Sequence, residues 1–244
     1  MARFFVAAEQ KTGSEISITG NDLRHLHSVL RMKEGDPVTV TVDGVGVYAC
    51  RIEAFYEDRA VLTVLSEVEE SHEPAVRITL FQGLPKGDKL EQVIEKSVEL
   101  GVYEVVPVLM KRSVVKPDPK KEEARHLRRQ KIAESAAKQS LRDIIPEVRP
   151  LMTFDEALRY AKELDAVLLP YEAADNMEET REILRAVPEG ARVGIFIGPE
   201  GGFEGSEIEK ALEYGAKVIT LGKRILRTET AGPALIAVLT FMHG

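Results

Sequence analysis

Glycines, charges and hydroxyls crowd into two short stretches near the end of this chain, 198–202 and 221–231. The first, Gly198-Pro199-Glu200-Gly201-Gly202, follows the apolar, β-branched run 193–197 and ends it abruptly, as happens at the end of a fully buried parallel strand. Its three glycines give a backbone without Cβ atoms, able to lie close against a ligand. In the second, Arg224, Arg227, Thr228, Glu229 and Thr230 fall between an apolar strand and the apolar helix 232–242. A mere connector needs only a cap, which Thr228 or Thr230 supplies, so the surplus charge is better explained by a site. Two loops, each leaving the end of a strand, are what a cofactor site in an open α/β sheet looks like. Taken alone, the Gly-Pro turn fits an ordinary turn as well as it fits a binding loop.

The elements that must position these loops come from residue 75 onward, where strand and helix patterns alternate. Strands are expected at 76–80, 102–109 and 166–169, the last stopped by Pro170, and helices at 88–100, 120–141, 153–164 and 177–186. Such alternation implies a mostly parallel sheet covered on both faces. The loop 85–89 places Lys86 and Lys89 at a helix start. It fits a phosphate site and a plain turn capped by Asp88 equally well. Before residue 70 the texture is β-rich, with strands at 3–6, 36–42, 46–55 and 59–68. A helix over 21–32 is expected between them, capped by Asn21, with Leu23, Leu26 and Leu30 inward. Arg24, His25, His27 and Arg31 fall on its polar sides, placed to touch RNA phosphates or merely to be solvated. The acidic stretch 66–74 ends in proline and divides the two textures, giving expected domains at 1–70 and 75–244.

Composition narrows the function classes. No apolar run is long enough to cross a bilayer, and the opening Met1-Ala2-Arg3-Phe4-Phe5 lacks the pattern of a signal peptide. A lone Cys50 excludes a disulfide framework and fits a reducing cytoplasm. Five scattered histidines offer no ligand spacing, so no metal is expected. The net charge is −7, but residues 111–142 carry eleven Lys or Arg against four Asp or Glu. That local +7 leaves −14 elsewhere. Such asymmetry favours a polyanion footprint over a merely solvated helix face, although Glu122 and Glu123 are placed to pair locally.

No dinucleotide fingerprint or Walker loop is present. The late loops instead resemble those of the SPOUT class of RNA methyltransferases. Within it, Ile197-Gly198-Pro199-Glu200-Gly201-Gly202 and Leu221-Gly222-Lys223-Arg224-Ile225-Leu226-Arg227-Thr228-Glu229-Thr230-Ala231 are similar to the signature loops of the RsmE family, the bacterial 16S ribosomal RNA uridine-N3 methyltransferases. Val29-Leu30-Arg31-Met32, Lys96-Ser97-Val98-Glu99-Leu100-Gly101 and Gln139-Ser140 with Arg142 agree with it. Lys138 departs from it, standing where an acidic residue is expected.

The resemblance spans the whole chain and implies an N-terminal PUA-like β-barrel followed by an α/β domain tied in a trefoil knot. It implies S-adenosylmethionine as cofactor, held by Leu168, Leu169 and Pro170, by Ile197, Gly198, Pro199, Glu200, Gly201 and Gly202, and by Leu221, Gly222, Ile225, Leu226, Arg227, Thr228, Thr230 and Ala231. Methylating N3 of a uridine requires loss of its proton, for which Glu200 and Glu229 are base candidates and Arg227 the candidate for stabilising the anion. Glu229 also suits the first turn of the last helix, and that role is preferred. Implied partners are 16S ribosomal RNA in the small subunit and a second copy of the chain, with no membrane. RNA contacts are expected from Arg3, His25, Arg31, Lys86, Lys89, Arg112 and Arg142. The rivals are a SPOUT enzyme acting on a ribose 2′-oxygen or on transfer RNA, a non-catalytic RNA-binding factor, and a metabolic α/β enzyme.

Overall fold

The structure, a computed structural model, describes residues 2–243, which divide into two compact units. The first comprises residues up to His72 together with Leu141–Ile144. The second comprises Glu73–Ser140 and Ile145 onward.

In the first unit the chain runs β1 (Arg3–Val6), β2 (Lys11–Thr12), β3 (Glu15–Thr19), α1 (Gly20–Arg24), β4 (Pro37–Val42), β5 (Gly46–Phe55) and β6 (Arg59–Glu67). These strands form one six-stranded sheet in the order β1-β4-β5-β6-β3-β2, antiparallel except for the β1–β4 pair. Alternation along the strands sends Phe4, Val6, Ile16, Ile18, Val38, Val40, Cys50, Ile52 and Leu62 into one core. Burial pushes the Cys50 thiol up to about 11 against the pull of Lys11, so this sulfur is an inert core group. The pair β2–β3 was not expected, although Glu15-Ile16-Ser17-Ile18-Thr19 alternates polar and apolar residues in strand fashion.

The expected helix at 21–32 is shorter and changes pitch. It begins at Gly20, and from His25 to Val29 it widens into a π turn, with the Leu30 N–H bonded to the His25 carbonyl at 2.9 Å. The wider turn breaks the 3.6-residue phase, so Leu26 is fully buried while Leu30 rotates to the surface. His25 and Arg31 are exposed.

Two expected RNA contacts are overturned here. Arg3 and Arg142 are 7% and 3% exposed. Arg3 pairs with Asp143 and donates to the Arg142 carbonyl at 2.9 Å, and Asp143 also accepts from Ser71 and the His72 N–H. The Asp143 carboxyl is opposed by burial, yet these N–H donors and the Arg3 charge hold it below its usual range. A guanidinium spent on a buried carboxylate is not offered to phosphate.

The second unit continues β7 (Arg77–Gly83), α2 (Lys89–Glu99), β8 (Glu104–Leu109), α3 (Pro119–Gln139), β9 (Glu147–Val148), β10 (Met152–Thr153), α4 (Phe154–Ala161), β11 (Ala166–Pro170), α5 (Met177–Arg185), β12 (Arg192–Ile197), α6 (Gly205–Glu213), β13 (Lys217–Ile219) and α7 (Thr228–His243). Its sheet is parallel throughout, in the order β10-β8-β7-β12-β11-β13, with β9 also paired to β8. β12 lies between β7 and β11, and only Arg192 of it is exposed, which explains its unbroken apolar run. Phe81 and Phe196 stack at 4.3 Å and 7° in the core beneath α4.

Part of the basic stretch 111–142 is paired in place. Lys121 pairs with Asp118, Arg125 and Arg129 with Glu122, Arg128 with Glu91, and Lys138 with Glu134. Asp118, Glu122 and Glu134 are already counted in the local +7, and of these partners Glu91 alone lies outside the stretch, so the pairing orders the helix surface and leaves most of the surplus charge uncompensated. No helix among the described residues is long and apolar enough to cross a membrane.

Candidate functional site

The parallel strands β11, β12 and β13 deliver three loops to one end of the sheet, where an open α/β fold places its ligands. The loops enclose a cavity of about 780 Å³. Its lining contains Pro170, Ile197, Gly198, Pro199, Glu200, Gly202, Leu221, Gly222, Ile225, Leu226, Arg227, Thr228, Glu229 and Ala231, all expected from sequence, and Lys89.

Four expected residues lie outside the lining. Leu168 and Leu169 are fully buried, because β11 is covered on both faces and only its end, Pro170, reaches the cavity. Gly201 turns away to pack on Arg112, where an added Cβ would sit 3.1 Å from the arginine Cβ. Thr230 is an exposed position of α7. Conversely, Tyr171, Glu172, Ala174, Asp175, Met177, Phe203 and Thr220 line the cavity without having been expected, while Lys223 and Arg224 line it from within the expected loop 221–231. The 171–177 segment carried a usable signal, since it too leaves the carboxyl end of a buried parallel strand.

The loop after β12 is held from several sides. Gly202 donates to the Pro199 carbonyl at 2.9 Å, and a Cβ on Gly198 would lie 3.0 Å from Gly202 backbone, so the turn is closed on itself. Arg112 donates through Nη1 to the Gly201 carbonyl (3.0 Å) and through Nε to Glu204 (2.9 Å). Glu204 and Glu207 form a capping box at the start of α6, and Glu207 also accepts from the Lys111 N–H.

Two layers of contacts tie this loop to β7–α2 and to α7. The inner layer is neutral: Gln82 donates through Nε2 to Thr228 Oγ1 at 2.8 Å, and Thr228 Oγ1 donates to the Gly198 carbonyl at 2.7 Å. Both side chains are buried. The outer layer is ionic. Lys89 Nζ lies 3.2 Å from Glu200 Oε1 and 3.3 Å from Glu229 Oε2, and the Lys86 N–H donates to Glu200 Oε1 at 3.1 Å. Lys89 therefore faces the cavity loops with its charge paired to two carboxylates, while Lys86 keeps an exposed side chain. Arg227 reaches Glu229 only at 3.9 Å, and its side chain is 83% exposed.

These contacts set the protonation of the two carboxylates. Burial alone would raise Glu200, but its own backbone N–H, that of Lys86 and the Lys89 ammonium outweigh it, leaving the carboxyl below its usual range. Glu229 is lowered first by its own backbone N–H and, against some burial, by Lys89 and Arg227. Lys89 is raised, chiefly by Glu200. Both carboxylates are thus ionised at neutral pH and weakened as proton acceptors.

The loop after β13 is different. Thr220 is anchored through its N–H to Thr180 Oγ1 at 3.0 Å, and Gly222, at φ +99°, donates to Thr220 Oγ1 at 3.2 Å. Beyond it, Lys223 and Arg224 are exposed and Ile225 is 84% exposed, all on the cavity wall.

Residues 72–240 match the model of an RNA methyltransferase domain and residues 18–65 that of an RNA methyltransferase PUA domain. The chain is 33% identical to the ribosomal RNA small subunit methyltransferase E of Bacillus subtilis, over 99% of this chain and 96% of that one. It is 32% identical to the protein of the same name from Synechocystis, over 96% and 76%. A crystal structure of ribosomal RNA small subunit methyltransferase E from Neisseria gonorrhoeae bound to S-adenosylmethionine superposes with a TM-score of 0.84. It is 33% identical and covers 99% of this chain and 98% of its own. On fold, loops and full-length similarity together, the chain belongs to the ribosomal RNA small subunit methyltransferase E family.

Proposed function

We propose that this chain methylates N3 of a uridine in 16S ribosomal RNA of the small subunit, using S-adenosylmethionine. The observation that carries the reading is the cavity of about 780 Å³ at the carboxyl ends of β11–β13, walled by the loops that define the family resemblance. The residues present fit the cofactor. Leu221, Ile225, Leu226 and Met177 offer apolar walls for a flat base, and the glycine loops bring backbone N–H and C=O groups to its edge. Glu172, Asp175, Glu200 and Glu229 stand in the same lining as Lys89, Lys223, Arg224 and Arg227, which suits a ligand carrying charges of both signs. When bound, S-adenosylmethionine supplies a methyl group already activated on a sulfonium, which leaves the protein to supply position and electrostatics.

On this reading Glu200 and Glu229, held ionised by their neighbours, are in the state a proton acceptor needs and remain stronger bases than water, although weakened, so they stay the candidates for taking the uridine N3 proton. Arg227, largely exposed at the cavity wall, stabilises the negative charge left on O2 and O4. The target base must leave any helix to enter, so it is flipped or already unpaired. His25, Arg31 and Lys86, with the rim residues Lys223 and Arg224, supply exposed cations for the RNA backbone.

The same reading includes a trefoil knot, a homodimer and a cytoplasmic setting. The knot is supported by the return of the chain from edge strand β13 to α7, which packs on β7 and β12 in the middle of the sheet. The dimer is supported by Val238, Phe241 and Met242, which leave an exposed apolar ridge on α7.

Methyl transfer from labelled cofactor to small subunits lacking modification, followed by mass spectrometry of the nucleosides, tests the proposal. Expected is 3-methyluridine in 16S RNA, lost in Arg227→Ala. Label on ribose or on transfer RNA overturns the assigned target, and cofactor binding without transfer to any RNA overturns the assigned activity.

A further inference from the structure

We propose that Lys89 is a positioning residue that sets the cofactor cavity by clasping Glu200 and Glu229 at once. The inference rests on the cofactor reading above, but the contact itself is a property of the free protein. Three segments distant in sequence meet at this point: the end of β7 with the start of α2, the turn after β12 and the first turn of α7. Lys89 Nζ is 3.2 Å from a carboxylate on the second and 3.3 Å from a carboxylate on the third. Beneath it the Gln82–Thr228–Gly198 chain joins the same three segments without charge. Gly83 brings β7 so close to the turn that an added Cβ would sit 2.6 Å from the Pro199 nitrogen. The inner contacts fix how near the segments approach. The outer clasp fixes the direction of two acidic side chains on the cavity wall.

Remove the ammonium, and two carboxylates that shared one cation face each other with a net excess of negative charge. The surrounding charges do not replace it. Lys86 contributes its backbone N–H, its side chain being exposed. Arg227 stands 3.9 Å from Glu229 with most of its side chain in water. Arg112 is committed to Glu204, and Arg128 to Glu91. Asp88, exposed at the start of α2, adds only negative charge. Like charges at short range raise the pKa of at least one member of the pair. The sign therefore reverses: in the native protein acid weakens the clasp, whereas in a Lys89→Met protein acid relieves the repulsion.

The test compares wild type, Lys89→Met, Lys89→Arg and Lys89→Met with Glu200→Gln, full-length and ligand-free, by thermal unfolding from pH 5 to pH 8.5. S-adenosylmethionine affinity is measured by calorimetry on the same proteins. Expected is a deficit in Lys89→Met that shrinks as pH falls, is largely absent in Lys89→Arg, and becomes flat and smaller in the double variant. Affinity at pH 8 should fall roughly tenfold in Lys89→Met and recover in Lys89→Arg. A deficit that is independent of pH and equal in the single and double variants would overturn the proposal, since the lysine would then act by packing or by direct contact. Should wild type bind no S-adenosylmethionine while the ligand-free pattern holds, the clasp stands and the cofactor reading falls.

Discussion

Two loops line the same cavity, and they are built on opposite plans. The loop after β12 is pinned by Arg112, Lys86, Lys89 and Thr228 and by its own glycine turn, so its shape exists before any ligand arrives. The loop after β13 is anchored at Thr220 and Gly222. It then presents Lys223, Arg224, Ile225 and Arg227 to solvent, where among the described residues only Arg227 reaches an ion pair, at 3.9 Å. A preformed wall costs nothing to organise on binding, while an exposed basic and apolar strip retains its contacts for a partner. On the proposed reading, one loop carries the architecture of the pocket and the other its unspent recognition chemistry.

The sharpest way to break that contrast is to spoil the pinned loop from beneath. Gly83→Ala puts a methyl group 2.6 Å from the Pro199 nitrogen and 2.9 Å from the Gly198 carbonyl carbon, against backbone that has no rotamer to yield. We expect a loss of about 3 kcal/mol in urea unfolding, at the upper end of overpacking costs, with cofactor binding abolished. Thr228→Val comes next. It keeps the shape but removes the hydroxyl that accepts from Gln82 and donates to Gly198, stranding a buried carbonyl and weakening the hold on a buried amide. The expected cost is about 2 kcal/mol by the same measurement.

Much of this contrast was visible in the residues. The glycines of 198–202 and the charges of 224–230 marked both loops, and the unbroken apolar run 193–197 marked the strand that carries the first. What stayed hidden depends on partners far away in sequence. Arg3 and Asp143 are 140 residues apart, so nothing local in Arg3 or Arg142 distinguishes a buried ion pair from an RNA contact. For the same reason residues 141–144 group with the first unit although they follow a helix of the second. The two-residue strands β9 and β10 are too short to show alternation, and Leu168 and Leu169 were included on the family resemblance although the apolar run already read as a buried strand up to residue 169. The π turn at His25–Val29 has no residue signature at all, yet it removes Leu30 from the core.

Arg112 lets the contrast be tuned rather than destroyed. Its two bonds to Gly201 and Glu204 are about half exposed and screened by solvent, so Arg112→Met should leave global stability nearly unchanged. The informative readout is amide hydrogen exchange. Residues 201–205 should lose protection and approach the rates of 223–227, while the strands stay unchanged. Equal protection before and after would mean that the glycine turn alone is sufficient and that the arginine adds nothing.

The smallest effect on stability is expected where the recognition chemistry is unspent. Lys223→Ala and Arg224→Ala remove exposed side chains for which no hydrogen bond or ion pair is found among the described residues, so unfolding should shift by no more than about 0.5 kcal/mol. If the rim meets RNA phosphates, each substitution should weaken RNA binding at low salt and reduce the slope of log affinity against log salt by about 0.7–0.9. Cofactor affinity should remain at the wild-type value. A stability loss of the size expected for Thr228→Val would show that the second loop is structural after all, and the distinction between the two walls would disappear. An unchanged salt slope with intact stability would keep the distinction but move the RNA backbone elsewhere, toward Lys86 or the exposed Arg31 and His25 of the first unit.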